Sequence, residues 1–268
     1  MSAPALPARC ALWLARHAQV QAAPGLCYGS SDLPACPRAT ARAAAQLAQS
    51  LPRMAQVRVS PLSRCLALAR ALAALRPDLP PAQVDERLRE MHFGAWEMQP
   101  WNDIPRAAID AWLADFAHAR PGQPAPGQAG QTGQAGQTGQ TGQMGQMGQM
   151  GQMGQMGQMG QGDHPERAGQ GGGPEAAPGE SVSAFMQRIA AAWDETCQAL
   201  APPASPPPAR AHLWITHAGV LRAALLLHQG QRHPRHASDW PTQSAPFGQA
   251  LELPLPAPIQ GKLSTNFS

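Results

Sequence analysis

"ALWLARHAQV", residues 11–20, sets an Arg-His pair directly behind a run of apolar residues. Residues 11–15 carry no polar side chain and read as a buried strand, so Arg16 and His17 stand at its carboxyl end. Two runs resemble it, 56–60 (QVRVS) and 211–216 (AHLWIT), and each ends where a polar motif begins. Between the runs lie Ala-rich segments of helical period at about 39–51, 62–75, 103–117 and 180–200, with a further helix after Gly219. GQALELPL, 248–255, reads as a closing strand. Strands alternating with helices of this length predict an α/β fold, a three-layer α/β/α sandwich on a mostly parallel central sheet.

The chain has 268 residues, of which those from about 121 to 178 are too rich in Gly and Gln to bury apolar surface. From Gly127 to about Gly160 a Gly-Gln-X triplet repeats without a break, with Ala or Thr and then Met at X. Glycine at every third position is the collagen period, but a triple helix also needs abundant proline, and this tract has none. It reads as a disordered low-complexity insertion in a loop, with Met-rich metal binding as the alternative. About 200 residues remain, which suit one domain spanning 1–268 around that insertion.

A formal charge of +3 with scattered arginines argues against a nucleic-acid stripe and against a polybasic membrane anchor. A compact anionic ligand fits that balance. The five cysteines, Cys10, Cys27, Cys36, Cys65 and Cys197, show neither CxxC nor Cys/His spacing and suit free thiols in a reducing cytosol. No apolar run approaches the roughly 20 residues that a membrane helix needs, and Arg9 and Arg16 interrupt any signal-peptide core. A soluble, cytoplasmic protein is expected. His92, His118, His164, His212, His228, His233 and His236 lack metal-ligand spacing, so no metal is expected.

In an open α/β sheet, ligands bind beyond the carboxyl ends of the strands. SPLSRC (60–65) puts Arg64 on the first turn of the helix after the second run, and THAG (216–219) puts His217 after the third. Three strand ends thus bring Arg16, His17, Arg64 and His217 to one rim. Guanidinium forks match phosphate oxygens and helix amides add fixed positive charge, so the rim predicts a phosphoryl cage. Ser60, Ser63 and Ser181 read as caps or turn residues, since no GxSxG elbow surrounds them. Trp13, Trp96, Trp101, Trp112, Trp193 and Trp214 read as core or helix-packing residues, with Trp96 and Trp101 alternatively walling a pocket.

With LARHA (14–18), SPLSRC, LREMHFGAWE (88–97), GES (179–181) and THAG in this order and spacing, the chain resembles the histidine phosphatase superfamily, of phosphoglycerate-mutase-like fold. The resemblance implies a small phosphomonoester substrate and no cofactor. It implies that neutral His17 attacks phosphorus to form a phosphohistidine while Arg16, Arg64 and His217 hold the phosphoryl oxygens. Glu90 matches the family's proton donor, which protonates the leaving oxygen and then activates water; Glu97 is the runner-up. No metal is implied, because cationic side chains neutralise the phosphate.

The chain departs from the family pattern at Ala18, where Gly is usual, and at Val20, where Thr is frequent. A methyl at position 18 is harmless at negative φ and obstructive at positive φ. Gln19 is a candidate amide donor to phosphate. GLCYGSSDLP (25–34), LREMHFGAWEMQPWNDIP (88–105) and APFGQALEL (245–253) look most like the α-ribazole phosphatase group of cobalamin synthesis. The other readings are a broad small-molecule phosphatase, a phosphoglycerate mutase, and a phosphate-binding module that has lost turnover.

Overall fold

The computed structural model describes residues 10–123, 178–200 and 211–255. Its sheet has strands β1 (Cys10–Arg16), β2 (Gln56–Val59), β3 (Gln83–Val84), β4 (Ala211–Thr216) and β5 (Ala250–Leu255), in the order β3-β2-β4-β1-β5. The first four pair in parallel, and β5 closes one edge antiparallel to β1. The helices are α1 (Pro37–Ser50), α2 (Ser63–Leu75), α3 (Arg106–Ala114), α4 (Val182–Leu200) and α5 (Ala218–His228).

Alternation along the strands makes the layers. Leu12, Leu14 and Trp214 face α4 and α5, where they pack with Phe185, Met186, Ile189 and Leu221. Ala15, Val57, Val59, Leu213 and Ile215 face the opposite side, against Ala44 and Leu47 of α1 and Leu68 and Leu72 of α2. Helix α1 shows why: Thr40, Ala43, Ala44 and Leu47 are buried at i, i+3, i+4 and i+7, a single apolar stripe. Its first residue is Pro37, whose fixed φ and missing N–H suit the first helical turn. The three-layer α/β sandwich expected from the sequence is therefore present.

Two local details differ from expectation. The helix expected over 103–117 is divided into a 3-10 turn at Trp101–Asp103 and α3, because Pro105 has no N–H to continue a helical ladder and instead precedes the first turn of α3. The two-residue edge strand β3 carries no sequence signal of its own. Arg58 in β2 is buried and reaches Asp85 at 3.3 Å and Glu195 at 2.5 Å.

The low-complexity tract lies outside the described residues, but its flanks do not. Gly94 has φ +57°, and a Cβ there would stand 2.5 Å from the Pro121 carbonyl oxygen and 2.7 Å from the Gly179 nitrogen. Gly94 thus lets the two flanks meet, and the Glu180 amide fastens the second one to the His92 carbonyl at 2.8 Å. Pro121 and Gly179 therefore pack together against Gly94. Since loop closure depends only logarithmically on length, replacing residues 124–177 by a short Gly-Ser link should leave the thermal unfolding midpoint nearly unmoved. A chain so shortened that fails to fold would show that the tract contributes to the core. Among the described residues, no helix is long and apolar enough to cross a membrane.

Candidate active site

The pairing of β1 with β4 sets Arg16 opposite Thr216, so the residues that follow, His17 and His217, emerge side by side. Their ring centroids lie 5.1 Å apart. His17 Nδ1 is 2.7 Å from the carbonyl oxygen of Ala18. A carbonyl only accepts, so this nitrogen carries the proton and Nε2 keeps its lone pair. Burial, reinforced by Arg64 and then Arg16, holds the His17 pKa well below the ordinary 6.5. The imidazole is therefore neutral at physiological pH.

The end of β1 is clamped from the last strand. Arg16 donates its backbone N–H to Gln249 and its Nη1 to the Ala245 carbonyl at 3.2 Å. Its guanidinium lies 3.7 Å from the centroid of the Phe247 ring, which also meets the His17 ring at 5.4 Å. Burial lowers the Arg16 pKa to about 10, which leaves it charged, and Tyr28 and Glu90 interact with it favourably.

Arg64 is fully buried on the first turn of α2. Its Nη1 and Nη2 donate to the carbonyls of Ser31 and Gly29, each at 2.7 Å, and its Nε donates to His217 Nδ1 at 3.3 Å. The supporting loop is itself tied down by Glu97. That carboxylate accepts from the backbone N–H groups of Ser30, Ser31 and Phe93 at 2.6–3.0 Å and from both serine hydroxyls. Burial would raise the Glu97 pKa, but the hydrogen bonds outweigh it and hold the group below the usual carboxylate range. Asp32 continues the brace by accepting from the Ser63 N–H and hydroxyl at 2.8 and 2.7 Å.

Glu90 stands opposite, on the loop after β3. Its Oε1 accepts from the Met91 N–H at 3.0 Å, and its Oε2 accepts from the Gly219 N–H at 2.9 Å, in the first turn of α5. A Cβ on Gly219 would lie 2.2 Å from Oε1, so glycine is what admits the carboxylate to the helix end. The loop is held by Arg188, which donates to the carbonyls of Arg87, Arg89 and Glu90 while its fork engages Glu180 of the GES motif.

Arg16, His17, Arg64 and Glu90 all line one cleft of about 800 Å³, counted out to its solvent mouth. The rest of its wall is largely aromatic. Trp101 meets Phe93 edge-on at 5.4 Å, Phe93 meets Trp112 at 6.4 Å, and Trp112 meets Phe116 at 5.5 Å. Trp240 then touches Phe116 at 6.0 Å and Phe185 at 6.2 Å, which completes a continuous run of rings. Trp101 is thus a wall residue, whereas Trp96 is buried behind it.

Of the residues expected at the rim, His217 is the one that does not line the cleft. It sits one layer behind, with Nε2 at 2.8 Å from Ser60 Oγ and Nδ1 turned to Arg64. Ser60 thereby orients a histidine while also accepting from the Leu62 N–H at 3.4 Å as a turn residue, Ser63 is held by Asp32, and Ser181 accepts from the Ala184 N–H at 3.2 Å as a cap. Ala18 is buried at negative φ and outside the cleft, so its methyl obstructs nothing. Gln19 is exposed and does not line the cleft. Tyr28, Arg222, Phe247 and Trp240 were not among the expected site residues. Tyr28 is the single tyrosine of the chain, and Arg222 follows THAG within LR, so a signal existed for both. Among the described residues, no group of three or more His, Cys, Asp or Glu side chains is placed to hold a metal ion.

Residues 12–137 match the family model for the histidine phosphatase superfamily (branch 1). Solved structures share the fold. A putative alpha-ribazole-5'-P phosphatase from Escherichia coli K-12 is 22% identical, with a TM-score of 0.56, over 91% of this chain and 89% of that one. The alpha-ribazole phosphatase from Shigella flexneri is 22% identical, with a TM-score of 0.55, over 90% and 89%. A mycobacterial glucosyl-3-phosphoglycerate phosphatase is 18% identical, with a TM-score of 0.58, over 91% and 89%. No curated protein matches the chain. Over residues 12–137, the stretch that bears Arg16, His17, Arg64 and Glu90, the chain is similar to the histidine phosphatase superfamily (branch 1).

Proposed function

We propose that the chain is a phosphomonoester hydrolase that works through a phosphohistidine on His17, and that its substrate is α-ribazole 5′-phosphate or the cobamide carrying it. In the first step His17 Nε2 forms the N–P bond as the P–O bond breaks, and Glu90 gives its proton to the departing alkoxide. In the second, Glu90 takes a proton from water, whose oxygen replaces the histidine on phosphorus. Arg16 and Arg64 face the phosphoryl oxygens. His217 completes the phosphate site by fixing the Arg64 guanidinium through its Nε–H.

The observation that carries the reading is the joining of a cationic floor, with neutral His17 in it, to a continuous aromatic wall in one cleft. Flat heteroaromatic groups gain from edge-to-face and offset contacts with such rings. The benzimidazole of α-ribazole presents a flat face, and a glucosyl glycerate presents none. Two proteins of similar fold carry the α-ribazole phosphatase name, and the glucosyl-3-phosphoglycerate phosphatase shares the fold equally, so it is the wall rather than the fold that supports this reading.

Comparing kcat/KM for α-ribazole 5′-phosphate, 3-phosphoglycerate and p-nitrophenyl phosphate tests the proposal. The first should exceed the second by at least roughly tenfold, the discrimination that even one apolar contact provides. Parity, or preference for 3-phosphoglycerate, would refute the assignment. Because guanidinium groups supply the neutralisation, excess chelator should leave turnover unchanged; loss on adding EDTA, restored by magnesium or zinc, would refute metal independence. The five free thiols accord with a reducing cytosol as the site of action.

A further inference from the structure

The cleft holds a third arginine that the phosphoryl chemistry does not use. Arg222 lies on α5, one helical turn beyond Ala218 and Gly219, on the cavity-facing side of the helix. It is 6% exposed. Its Nη2 donates to the Thr242 carbonyl at 3.3 Å, and its Nε has no hydrogen-bond partner among the described residues. Neither an ion pair with Glu90 nor one with any other described carboxylate neutralises it, although Glu90 attracts it from across the cleft. Burial pulls its pKa down, the mark of a cation held in an apolar setting. A buried guanidinium with a free N–H is costly unless something accepts from it.

Its position tells which half of a substrate it meets. His17 and Arg64 define where phosphorus sits, and the leaving oxygen departs toward Glu90. The Glu90 carboxylate abuts the first turn of α5 at Gly219, and Arg222 lies one turn further along that helix, tied to Thr242 near Trp240 and lining the cleft together with the Phe116, Phe185 and Trp240 rings, so it stands beside the alcohol, not the phosphate. We propose that Arg222 is a specificity-determining residue: it donates to an oxygen on the alcohol half of the substrate, selecting phosphomonoesters that carry both an acceptor oxygen near the ester and a flat apolar group beyond it. A 5′-phosphorylated N-riboside has that arrangement, with a ribose oxygen for Arg222 and the base for the rings. This rests on the reading of the cleft as a phosphatase site and deepens it.

Two ester substrates with alkoxide leaving groups separate the contact from general damage: α-ribazole 5′-phosphate, and 2-phenylethyl phosphate, which has a ring but no further oxygen. Arg222→Met should lower kcat/KM for the riboside by about 10- to 100-fold more than for 2-phenylethyl phosphate, the range for losing a hydrogen bond to a charged group. Arg222→Lys, which keeps the charge, should recover part of that difference. The unphosphorylated riboside gives a readout independent of turnover: its Kd should rise in Arg222→Met by about 10- to 100-fold more than the Kd of inorganic phosphate. Equal losses on both esters, with equal changes in both Kd values, would overturn the proposal. A parent chain that binds the riboside through Arg222 and releases no phosphate would instead refute the phosphatase reading and leave this contact standing.

Discussion

Mixing the chain with a labelled phosphomonoester and quenching without acid should leave phosphate on His17, and His17→Ala should leave none. The expected loss of turnover is on the order of 10⁴-fold or more, because removing a nucleophile removes the covalent route and leaves only binding. Two histidines stand side by side at the ends of β1 and β4, and the geometry separates them. His17 uses Nδ1 on the Ala18 carbonyl and lines the cleft, so Nε2 is available to phosphorus. His217 has one nitrogen on Ser60 and the other on Arg64, which leaves neither to attack. His217→Ala should therefore form the adduct more slowly and still on His17. Label on His217, or on Cys65 at 3.5 Å from it, would overturn the assignment.

The same experiment run against pH tests the charge state. Attack needs the unprotonated imidazole, and burial with Arg64 and Arg16 places protonation of His17 well below 6.5. As pH falls through 6.5, an ordinary histidine would lose half its nucleophile, whereas His17 should lose almost none. The rate of adduct formation should thus hold through pH 6 and fall only at lower pH. An acid limb centred at 6.5 would mean that water reaches the ring.

How far the sequence spoke depended on the range of the interactions involved. Arg16, His17 and Arg64 could be read because each ends a strand or follows one within a few residues, and a strand end fixes direction locally. His217 could be placed at the rim for the same reason, but its retreat behind Arg64 depends on contacts across more than 150 residues. Phe247 and Trp240 have no local signal of chemistry; their place beside Arg16 and Phe116 comes from β5 running back along β1 and from ring packing on the turn that follows α3. Arg222 sits in an apolar helical stretch close behind THAG, and its role was not read there. Its unfilled Nε emerges only when the cleft around it is seen.

The distinction between Glu90 and Glu97 is of that kind too, since both flank the same Phe-Gly-Ala-Trp stretch. Glu97 is bound by five donors that it fixes in place, and those bonds keep it ionised. It braces the Gly29–Ser31 carbonyls that hold Arg64 and has no proton to give. Glu90 faces the cleft with two backbone donors on its oxygens and room for a leaving group in front. Glu90→Gln should accordingly slow an alkyl phosphate by roughly 10² to 10⁴, the contribution of a general acid, and slow p-nitrophenyl phosphate less, since nitrophenolate departs almost unaided. Gly219→Ala should imitate that selective loss, because its Cβ would stand 2.2 Å from Glu90 Oε1 and dislodge the carboxyl. Glu97→Gln should behave differently: an amide N–H set against N–H donors loosens the loop under Arg64, so both esters should suffer alike. Measuring kcat/KM for the two esters across the three variants decides the matter. A leaving-group-dependent loss in Glu97→Gln, with a uniform loss in Glu90→Gln, would exchange their roles.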